Sequence, residues 1–317
     1  MQYTMLGRTG VRVSRLCFGS MSFGGDADEQ TSAALFGRCL DAGINFFDCA
    51  DVYAKGQSEQ ILGRLMQGRR DELVITSKVG MGAQGGLSRR HILHAAEQSL
   101  RRLGTDRIDV YFCHRFDEHT PVEQTLEAMD QLVRSGKVLY VGVSNWSAWQ
   151  VAMALGESAL RQVARIAVLQ PMYNLLKRTA EIEILPLADD QRLGVITYSP
   201  LAGGILTGKY PGGQASQGRL AGSKLYQQRY RDASNFEIAS ALAELARQWG
   251  VHPATVAVAW VKSHPAVTAP IIGARNLEQL EASLAAGDFD LTAEQRAQIC
   301  TLTPPVPPPS DRSEGQA

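Results

Sequence analysis

Eight short apolar runs, spaced roughly 30 to 40 residues apart, constrain the fold of this 317-residue chain more than any other feature. Each run is rich in Val, Ile, Phe or Tyr and lacks the alternation expected of a strand with one face in water. This pattern is typical of parallel strands that are buried on both faces. The predicted strands are Leu16–Gly19, Ile44–Asp48, Leu73–Lys78, Ile108–His114, Val138–Ser144, Ile166–Gln170, Gly194–Pro200 and Val267–Gly273.

Helical periodicity fills segments between these runs. Ser88–Leu103 begins with a serine suited to the N-cap and carries one apolar stripe, and Pro121–Arg134 begins with a first-turn proline. Ser234–Trp249 and Asn276–Ala285 have the same period. The alternation of strand and helix predicts a (β/α)8 TIM barrel. A doubly wound sheet is the competing fold, but Gly19–Gly25 lacks the glycine spacing that its first turn would carry.

Three segments lie outside the repeat. Residues 2–13 are predicted to form a β-hairpin that turns at residues 8–10 and plugs the bottom of the barrel. The connection Leu201–Ala233, after the seventh barrel strand, holds seven glycines and has the length of a lid or a mobile loop. Residues 1–302 are therefore predicted to form one barrel domain, followed by a disordered proline-rich tail over residues 303–317.

Charge and cysteine content argue against several classes of protein. The 32 Lys and Arg residues equal the 32 Asp and Glu residues, whereas proteins that depend on bulk affinity for nucleic acid usually carry a basic excess. No apolar stretch is long enough for a membrane span or a secretory signal. The five cysteines are odd in number and widely spaced, which fits neither a disulfide framework nor a zinc site. We expect a reduced, cytoplasmic protein without metal, nucleic acid or membrane partner.

Titratable side chains fall at the ends of three consecutive predicted strands. Asp48, Lys78 and His114 end the second, third and fourth strands, and Tyr53 follows Asp48 by five residues. Each alone has a structural explanation as a turn residue, a solvated lysine or a core histidine. Barrel active sites lie where strands end, and neighbouring strands are about 4.8 Å apart. We therefore expect the four groups to face one pocket.

These four groups together suit protonation of a carbonyl oxygen. The phenol of Tyr53 has an ordinary pKa of about 10, and the Lys78 ammonium is expected to lower that pKa. Asp48 would keep Lys78 charged in a desolvated pocket, and His114 would orient the carbonyl. None of them supplies electrons, so a reducing cofactor is required.

The sequence resembles the aldo-keto reductases over nearly its whole length. The matching stretches are Asn45–Tyr53, Ile75–Lys78, His114-Arg115, Gly136–Val138, Val141–Asn145, Gln170–Leu176, Tyr198–Gly204 and Pro270–Arg275. The resemblance implies NADPH-dependent reduction of a small-molecule aldehyde or ketone, with Tyr53, Lys78, Asp48 and His114 as the catalytic tetrad. The branch it resembles includes aryl-aldehyde reductases, glyceraldehyde-3-phosphate reductases and potassium-channel β subunits.

The same resemblance implies a set of cofactor contacts. Ser144, Asn145 and Gln170 would hold the nicotinamide carboxamide, which needs paired donors and acceptors, and Tyr198 would stack on the ring. The residues implied to contact the rest of the dinucleotide are Ser199, Leu201, Gly203, Gly273, Arg275 and Gln279.

The preference for NADPH over NADH rests on Arg275. This cation directly precedes a predicted helix N-terminus, where it opposes the macrodipole, and a bound 2′-phosphate would resolve the conflict. Asn276 and Gln279 have capping-box spacing, so capping also explains Gln279. Ser283 stands where the family often has Asn, and a tight contact with adenine is therefore not predicted.

Substrate identity is less constrained. Met21 and Trp146 are expected to line the substrate pocket and to favour varied aldehydes over a single sugar. Two other functions stay open: a lyase that forms a Schiff base on Lys78, and a non-catalytic NADPH-binding sensor or channel-associated subunit. The sequence does not decide between a monomer and a homo-oligomer.

Overall fold

Eight parallel strands close into a barrel in which strand neighbours follow the order of the chain and the last strand pairs with the first. The computed structural model describes residues 1–82, 86–210 and 219–310. Helices connect the successive strands, so the predicted (β/α)8 TIM barrel is confirmed.

The elements have the following bounds. The strands are β1 Tyr3–Met5, β2 Arg12–Ser14, β3 Cys17–Gly19, β4 Phe46–Asp48, β5 Val74–Val79, β6 Ile108–Cys113, β7 Val138–Ser144, β8 Ile166–Gln170, β9 Gly194–Thr197 and β10 Ala269–Ile272. The helices are α1 Glu29–Asp41, α2 Gln57–Leu65, α3 Arg89–Leu103, α4 Val122–Arg134, α5 Ala148–Arg161, α6 Ile184–Asp190, α7 Arg219–Gly222, α8 Lys224–Arg229, α9 Ser234–Gln248, α10 Pro253–Lys262, α11 Leu277–Leu284 and α12 Ala293–Cys300. The closed barrel comprises β3 to β10.

Strand β9 is shorter than predicted. It ends at Thr197 instead of Pro200, because Ser199 has a φ of 59°, in the left-handed region that a strand does not use. Helix α10 carries no predicted counterpart. Every residue from Ala254 to Lys262 is buried, so this helix has no polar face to mark its period.

The N-terminal hairpin closes the bottom of the barrel. Strands β1 and β2 pair antiparallel, with Tyr3 opposite Ser14. Leu6 is fully buried among side chains of the barrel interior. Gly7 has a φ of +55° and lies so close to the start of β9 that a Cβ would sit 2.3 Å from Gly194 N. The hydroxyl of Tyr140 donates to Thr9 O at 2.9 Å. The predicted plug is confirmed.

Side chains alternate between two cores. On β6, Val110 and Phe112 lie in the barrel interior, and Tyr111 and Cys113 pack in the layer between strands and helices. Phe112 fits because its neighbour across the ladder is Gly142, where a Cβ would lie 2.4 Å from the phenyl ring. The alternation decides which side chains at the strand ends enter the site and which face the helices.

The long connection and the tail are only partly described. Between β9 and α9 the chain forms a 3-10 turn at Ala202–Thr207 and then α7 and α8, with residues 211–218 outside the described part. Residues 303–310 form neither helix nor strand, and residues 311–317 also lie outside it. Disorder of residues 303–317 therefore stays a prediction, as does the division at residue 302.

The described residues contain neither a membrane-spanning helix nor a cluster of metal-binding side chains. Among them no helix is both long enough and apolar enough to cross a lipid bilayer. The same residues contain no group of three or more His, Cys, Asp or Glu side chains placed to share a metal ion.

Candidate active site

The ends of β4, β5 and β6 bring the four predicted groups together. Lys78 Nζ pairs with Asp48 Oδ2 at 2.6 Å, and the exposed fractions of the two side chains are 0% and 3%. The same ammonium donates to Cys49 O at 2.6 Å and to the hydroxyl of Tyr53 at 3.4 Å. The Tyr53 and His114 rings meet edge to face, with centroids 6.1 Å apart. A phenol, an ammonium, a carboxylate and an imidazole thus share one pocket.

Asp48 is held by three donors. Its Oδ1 accepts from Thr76 Oγ1 at 2.7 Å and from Gln170 Nε2 at 2.8 Å, and its Oδ2 accepts from Lys78. A buried carboxylate is tolerated when its lone pairs are used in this way. Asp48 therefore fixes both the Lys78 ammonium and the Gln170 amide in place.

The pKa of Tyr53 differs from the sequence-based expectation. Burial raises the pKa of the phenol to about 12; Lys78 opposes this increase, and Asp48 adds to it. The ammonium does not lower the pKa below its ordinary value, because burial of the phenol outweighs the effect of Lys78 and the charge of Asp48 opposes it. Tyr53 is consequently protonated throughout the neutral range.

The pKa values of Lys78 and His114 are shifted in opposite directions. Burial alone would lower the pKa of Lys78, but attraction to Asp48 and then Tyr53 raises it above its ordinary value. Burial, followed by repulsion from Lys78 and Arg115, lowers the pKa of His114 to about 3. Its Nδ1 is buried without a partner among the described residues, which favours the neutral tautomer with the proton on Nε2.

Backbone strain is concentrated at this end of the barrel. Most of the non-glycine residues with positive φ in the described chain follow the barrel strands β4, β7 and β9 at this rim. Such conformations are costly, persist only where the surroundings enforce them, and cluster at functional sites. The residues are Ala54, Lys55, Asn145, Ser199 and Ala202.

The three residues predicted to bind the carboxamide adjoin these groups. Ser144 Oγ donates to Gln170 O at 2.9 Å. Asn145 Nδ2 donates to Ser144 Oγ at 3.0 Å and to His114 O at 2.9 Å, and Asn145 Oδ1 accepts from the Tyr198 hydroxyl at 2.7 Å. The predicted ring-stacking residue is therefore connected to the predicted amide-binding residues, beside the tetrad.

The predicted pyrophosphate loop is covered by α8. Gly203 has a φ of +69°, and a Cβ there would lie 2.5 Å from the ring of Tyr226, so both the backbone conformation and this ring favour glycine at the position. At Gly204 a Cβ would lie 2.9 Å from Lys209 Nζ. The guanidinium of Arg229 lies over the Tyr226 ring, 5.3 Å from its centroid. Two cations not predicted from the sequence, Lys209 and Arg229, thus lie near this loop, which also contains Ser199 and Leu201.

The loop after β10 contains the residues predicted for the 2′-phosphate. Gly273 is exposed, and Asn276 caps α11 by accepting from Gln279 N at 3.0 Å. Gln279 Oε1 accepts from Arg275 N at 3.3 Å, one residue earlier than a capping box requires. Within the described chain no carboxylate forms an ion pair with Arg275, so its charge is available to an anion. Ser283 Oγ is buried with no described partner.

Comparison with known proteins decides the family. The model of the Aldo/keto reductase family matches residues 15–303. The chain belongs to the aldo/keto reductase family. This confirms the predicted resemblance and makes the chain an oxidoreductase of a family that acts on small-molecule carbonyl compounds with a nicotinamide cofactor.

Named relatives of this aldo/keto reductase differ in role. It is 41% identical to the uncharacterized oxidoreductase YrpG of Bacillus subtilis, over 93% of each chain. It is 40% identical to a probable voltage-gated potassium channel subunit beta of Oryza sativa, over 91% of this chain and 92% of that protein. It is 34% identical to L-glyceraldehyde 3-phosphate reductase of Escherichia coli K12, over 94% of this chain and 91% of that protein.

Apolar side chains lie in several segments that follow the barrel strands. Met21, after β3, is 39% exposed, whereas Trp146, the other residue predicted to line the pocket, is buried. Trp146 packs edge-on against Phe116, with centroids 4.9 Å apart, and Phe116 also contacts the exposed Trp149. Met81 follows β5 and is also exposed. Besides Met21 and Trp146, the segments that follow the strands therefore carry Phe116, Trp149 and Met81.

One charged pair behind the site is not among the predicted residues. Glu59 on α2 is fully buried, and its Oε2 accepts from Arg102 Nε at 2.6 Å. The signal available in the sequence is the helical spacing that puts Glu59 on the same buried face as Leu62. A carboxylate on an apolar helix face requires a partner, and that requirement marks the position.

Proposed function

We propose that this aldo/keto reductase reduces aldehydes or ketones to alcohols with NADPH, and that Tyr53 donates the proton to the carbonyl oxygen. The contact that carries the proposal joins the Tyr53 hydroxyl to Lys78 Nζ at 3.4 Å, with Lys78 itself paired to Asp48. When bound, NADPH supplies the hydride.

Tyr53 is suited to act as the acid. Its pKa of about 12 keeps the phenol protonated at neutral pH, so the donor is present in every molecule. As the substrate oxygen gains negative charge, its proton affinity rises and the proton passes from Tyr53. The Lys78 ammonium stabilises the phenolate that remains, and Asp48 keeps that ammonium charged and aimed at Tyr53.

His114 is assigned to orient and polarise the carbonyl. With its pKa lowered to about 3, the imidazole is neutral at the working pH and donates through Nε2–H. A neutral donor holds the carbonyl oxygen without competing with Tyr53 for the role of acid.

The residues at the rim fit the proposed cofactor. Ser144, Asn145 and Gln170 offer donors and acceptors at one edge of the tetrad for a carboxamide, and Tyr198 offers an aromatic face beside them. Arg275 has no ion-pair partner among the described residues and precedes the N-terminus of α11, which suits a 2′-phosphate.

The remaining contacts proposed for the dinucleotide are backbone groups and one amide. Ser199, Leu201 and Gly203 are assigned to the pyrophosphate, with Lys209 and Arg229 as nearby cations. Gly273 and Gln279 are assigned to the adenosine end of the cofactor.

Apolar surface at the mouth favours aromatic and branched aldehydes. We assign Met21, Met81, Phe116, Trp146 and Trp149 to this surface. The exposed Arg115, next to His114, is the cation at hand for a phosphorylated aldehyde, the substrate type in the name of the Escherichia coli relative.

The two alternatives are less well supported. A Schiff base needs a neutral amine, but Lys78 has a raised pKa and donates to Asp48 and Cys49 O. A channel-associated role is favoured by the names of relatives that match over 90% or more of the chain. It is compatible with the same site, and turnover distinguishes it from an enzyme.

The test is NADPH oxidation with aromatic, aliphatic and phosphorylated aldehydes, for the wild type and for Tyr53→Phe. Tyr140→Phe is the matched control, because it removes a hydroxyl that bonds Thr9 O at the opposite end of the barrel. We expect turnover by the wild type and the control, and loss in Tyr53→Phe with NADPH binding retained. Absence of turnover with every aldehyde, or full activity in Tyr53→Phe, would contradict the proposal.

A further inference from the structure

A buried ion pair lies on the outer side of the barrel wall, behind the active site. The carboxylate of Glu59 is fully buried; its Oε1 accepts from Ser77 Oγ and its Oε2 from Arg102 Nε. The guanidinium of Arg102 is 24% exposed. These groups touch none of the four tetrad side chains, so proton transfer does not use them directly.

Glu59 connects the two segments that carry the reacting pair. Ser77 precedes Lys78 on β5 and points to the helix layer, while Lys78 points into the barrel. Glu59 lies in the first turn of α2, which begins directly after the loop of Tyr53. One carboxylate therefore ties the strand of Lys78 to the helix that continues the loop of Tyr53.

The loop between Tyr53 and α2 is strained. Ala54 and Lys55 have φ values of 46° and 55°, and Gly56 has a φ of 90°. A Cβ at Gly56 would lie 2.8 Å from Arg102 Cδ, so the arginine stem packs directly on this backbone. A strained segment holds its conformation only when its surroundings enforce it, and Arg102 is part of those surroundings.

Arg102 also balances more than one carboxyl group. The side chain of Asp51 is next to the pair, and one of its oxygens is buried without a described partner. Burial and Glu59 raise the pKa of Asp51 to about 7, and Arg102 opposes this increase. Loss of the guanidinium would leave two carboxyl groups close together, two residues from Tyr53.

We propose that the Glu59–Arg102 pair positions Tyr53, holding its hydroxyl at proton-transfer distance from Lys78. This inference rests on the proposed function. The pair acts on the rate of the chemical step and not on the binding of cofactor or substrate, because neither residue lies among those assigned to the cofactor or the mouth. A displacement of about 1 Å in a reacting group can slow a reaction by as much as roughly 100-fold.

A hydrogen bond from the same turn should keep α2 in place when the pair is altered. Ser58 Oγ donates to Ser20 O at 2.7 Å, and Ser20 Oγ donates to Asp48 O at 3.0 Å. This tie does not involve Glu59 or Arg102. Substitutions of the pair are therefore expected to shift the loop of Tyr53 without unfolding the barrel.

The test compares kcat, KM and NADPH affinity in Glu59→Gln, Arg102→Met and Arg102→Lys. For the first two we expect kcat to fall roughly 10- to 100-fold, while KM and the NADPH dissociation constant stay within about threefold. Arg102→Lys keeps the charge and should recover part of the loss, since lysine lacks the guanidinium geometry. Ser77→Ala removes one hydrogen bond to Glu59 and gives the same test should Glu59→Gln not fold.

The matched control is an exposed ion pair that joins the same helix, α2, to α1. Arg64 Nε contacts Glu29 Oε1 at 2.8 Å, and both side chains are more than half exposed. Arg64→Met should leave kcat unchanged.

Two outcomes would overturn the inference: a kcat within twofold of wild type in Glu59→Gln or, in its place, Ser77→Ala, or an equal loss of kcat and NADPH affinity. Failure of the proposed function is distinguishable, because it requires the wild type to lack turnover or Tyr53→Phe to retain it.

Discussion

Replacing Asp48 by asparagine leaves the ammonium of Lys78 buried without its carboxylate. In the wild type the two atoms are 2.6 Å apart and the exposed fractions of both side chains are at most 3%. Removal of one partner from a pair this deeply buried costs about 3–5 kcal/mol of unfolding free energy. We expect Asp48→Asn to lose that amount at pH 7, measured by urea unfolding followed by circular dichroism.

The pH dependence of this loss has a definite sign. In the wild type Asp48 raises the pKa of Lys78, so the stabilisation is present below the ordinary lysine pKa of about 10.4 and is lost as the pH rises through the raised value. In Asp48→Asn burial dominates and lowers the pKa of Lys78. The loss of unfolding free energy in Asp48→Asn should therefore be largest at neutral pH. It should shrink as the pH rises and Lys78 loses its proton.

The single variant Lys78→Met and the double variant complete the cycle, and Glu29→Gln is the control. The double variant Asp48→Asn, Lys78→Met buries no unpaired charge, so its loss should be smaller than the sum of the single losses by more than about 1 kcal/mol. Glu29→Gln breaks an exposed pair and should cost at most about 1 kcal/mol. Additive losses, or a loss below about 1 kcal/mol in Asp48→Asn, would refute the reasoning.

Three other predictions concern the cofactor, the imidazole and the barrel wall. Arg275→Met should weaken NADPH binding by about 1.5–3 kcal/mol, or roughly 10- to 150-fold, and leave NADH binding within about threefold. Equal weakening of the two cofactors in a fluorescence titration would remove the 2′-phosphate contact. Because the pKa of His114 is about 3, the pH profile of kcat should show no histidine inflection between about pH 5 and 8, and an inflection abolished by His114→Gln would contradict the neutral assignment. Gly142→Ala should cost about 1–3 kcal/mol in urea unfolding, because its Cβ would lie 2.4 Å from the Phe112 ring, whereas Gly156→Ala, with open space around it, should cost nothing.

The barrel was predictable because its strands are buried on both faces. Their uninterrupted apolar runs mark Val138–Ser144 and Ile166–Gln170 with the same ends that the structure has. The same reasoning fails for α10, since a helix buried on all sides has no periodic polar face. Periodicity detects an element through its contact with water, and α10 has almost none.

The site was predictable as far as strand ends determine it. Asp48, Lys78 and His114 lie at the ends of adjacent strands, and barrel geometry brings such residues together. The direction of the Tyr53 pKa shift was not predictable. It depends on how deeply the phenol is buried and on how far Asp48 opposes the effect of Lys78. Both are properties of the packed structure.

Contacts from remote segments also lay beyond sequence reasoning. Tyr226 is 23 residues from Gly203 in the chain, and no local pattern predicts that its ring packs there. The pairing of Glu59 with Arg102 likewise depends on how α2 and α3 cross. Family membership of the chain follows from its motifs, whereas the residues that hold those motifs in position are found only by their contacts.

The central claim, that Tyr53 and NADPH together reduce a carbonyl group, is tested most directly by following the transferred hydrogen. Wild-type enzyme is incubated with an aromatic aldehyde and NADPH that carries deuterium at the transferable position of the nicotinamide. We predict an alcohol with one deuterium on its carbinol carbon, and no alcohol with Tyr53→Phe although that variant binds NADPH. Alcohol without deuterium, or deuterated alcohol formed at the same rate by Tyr53→Phe, would contradict the account.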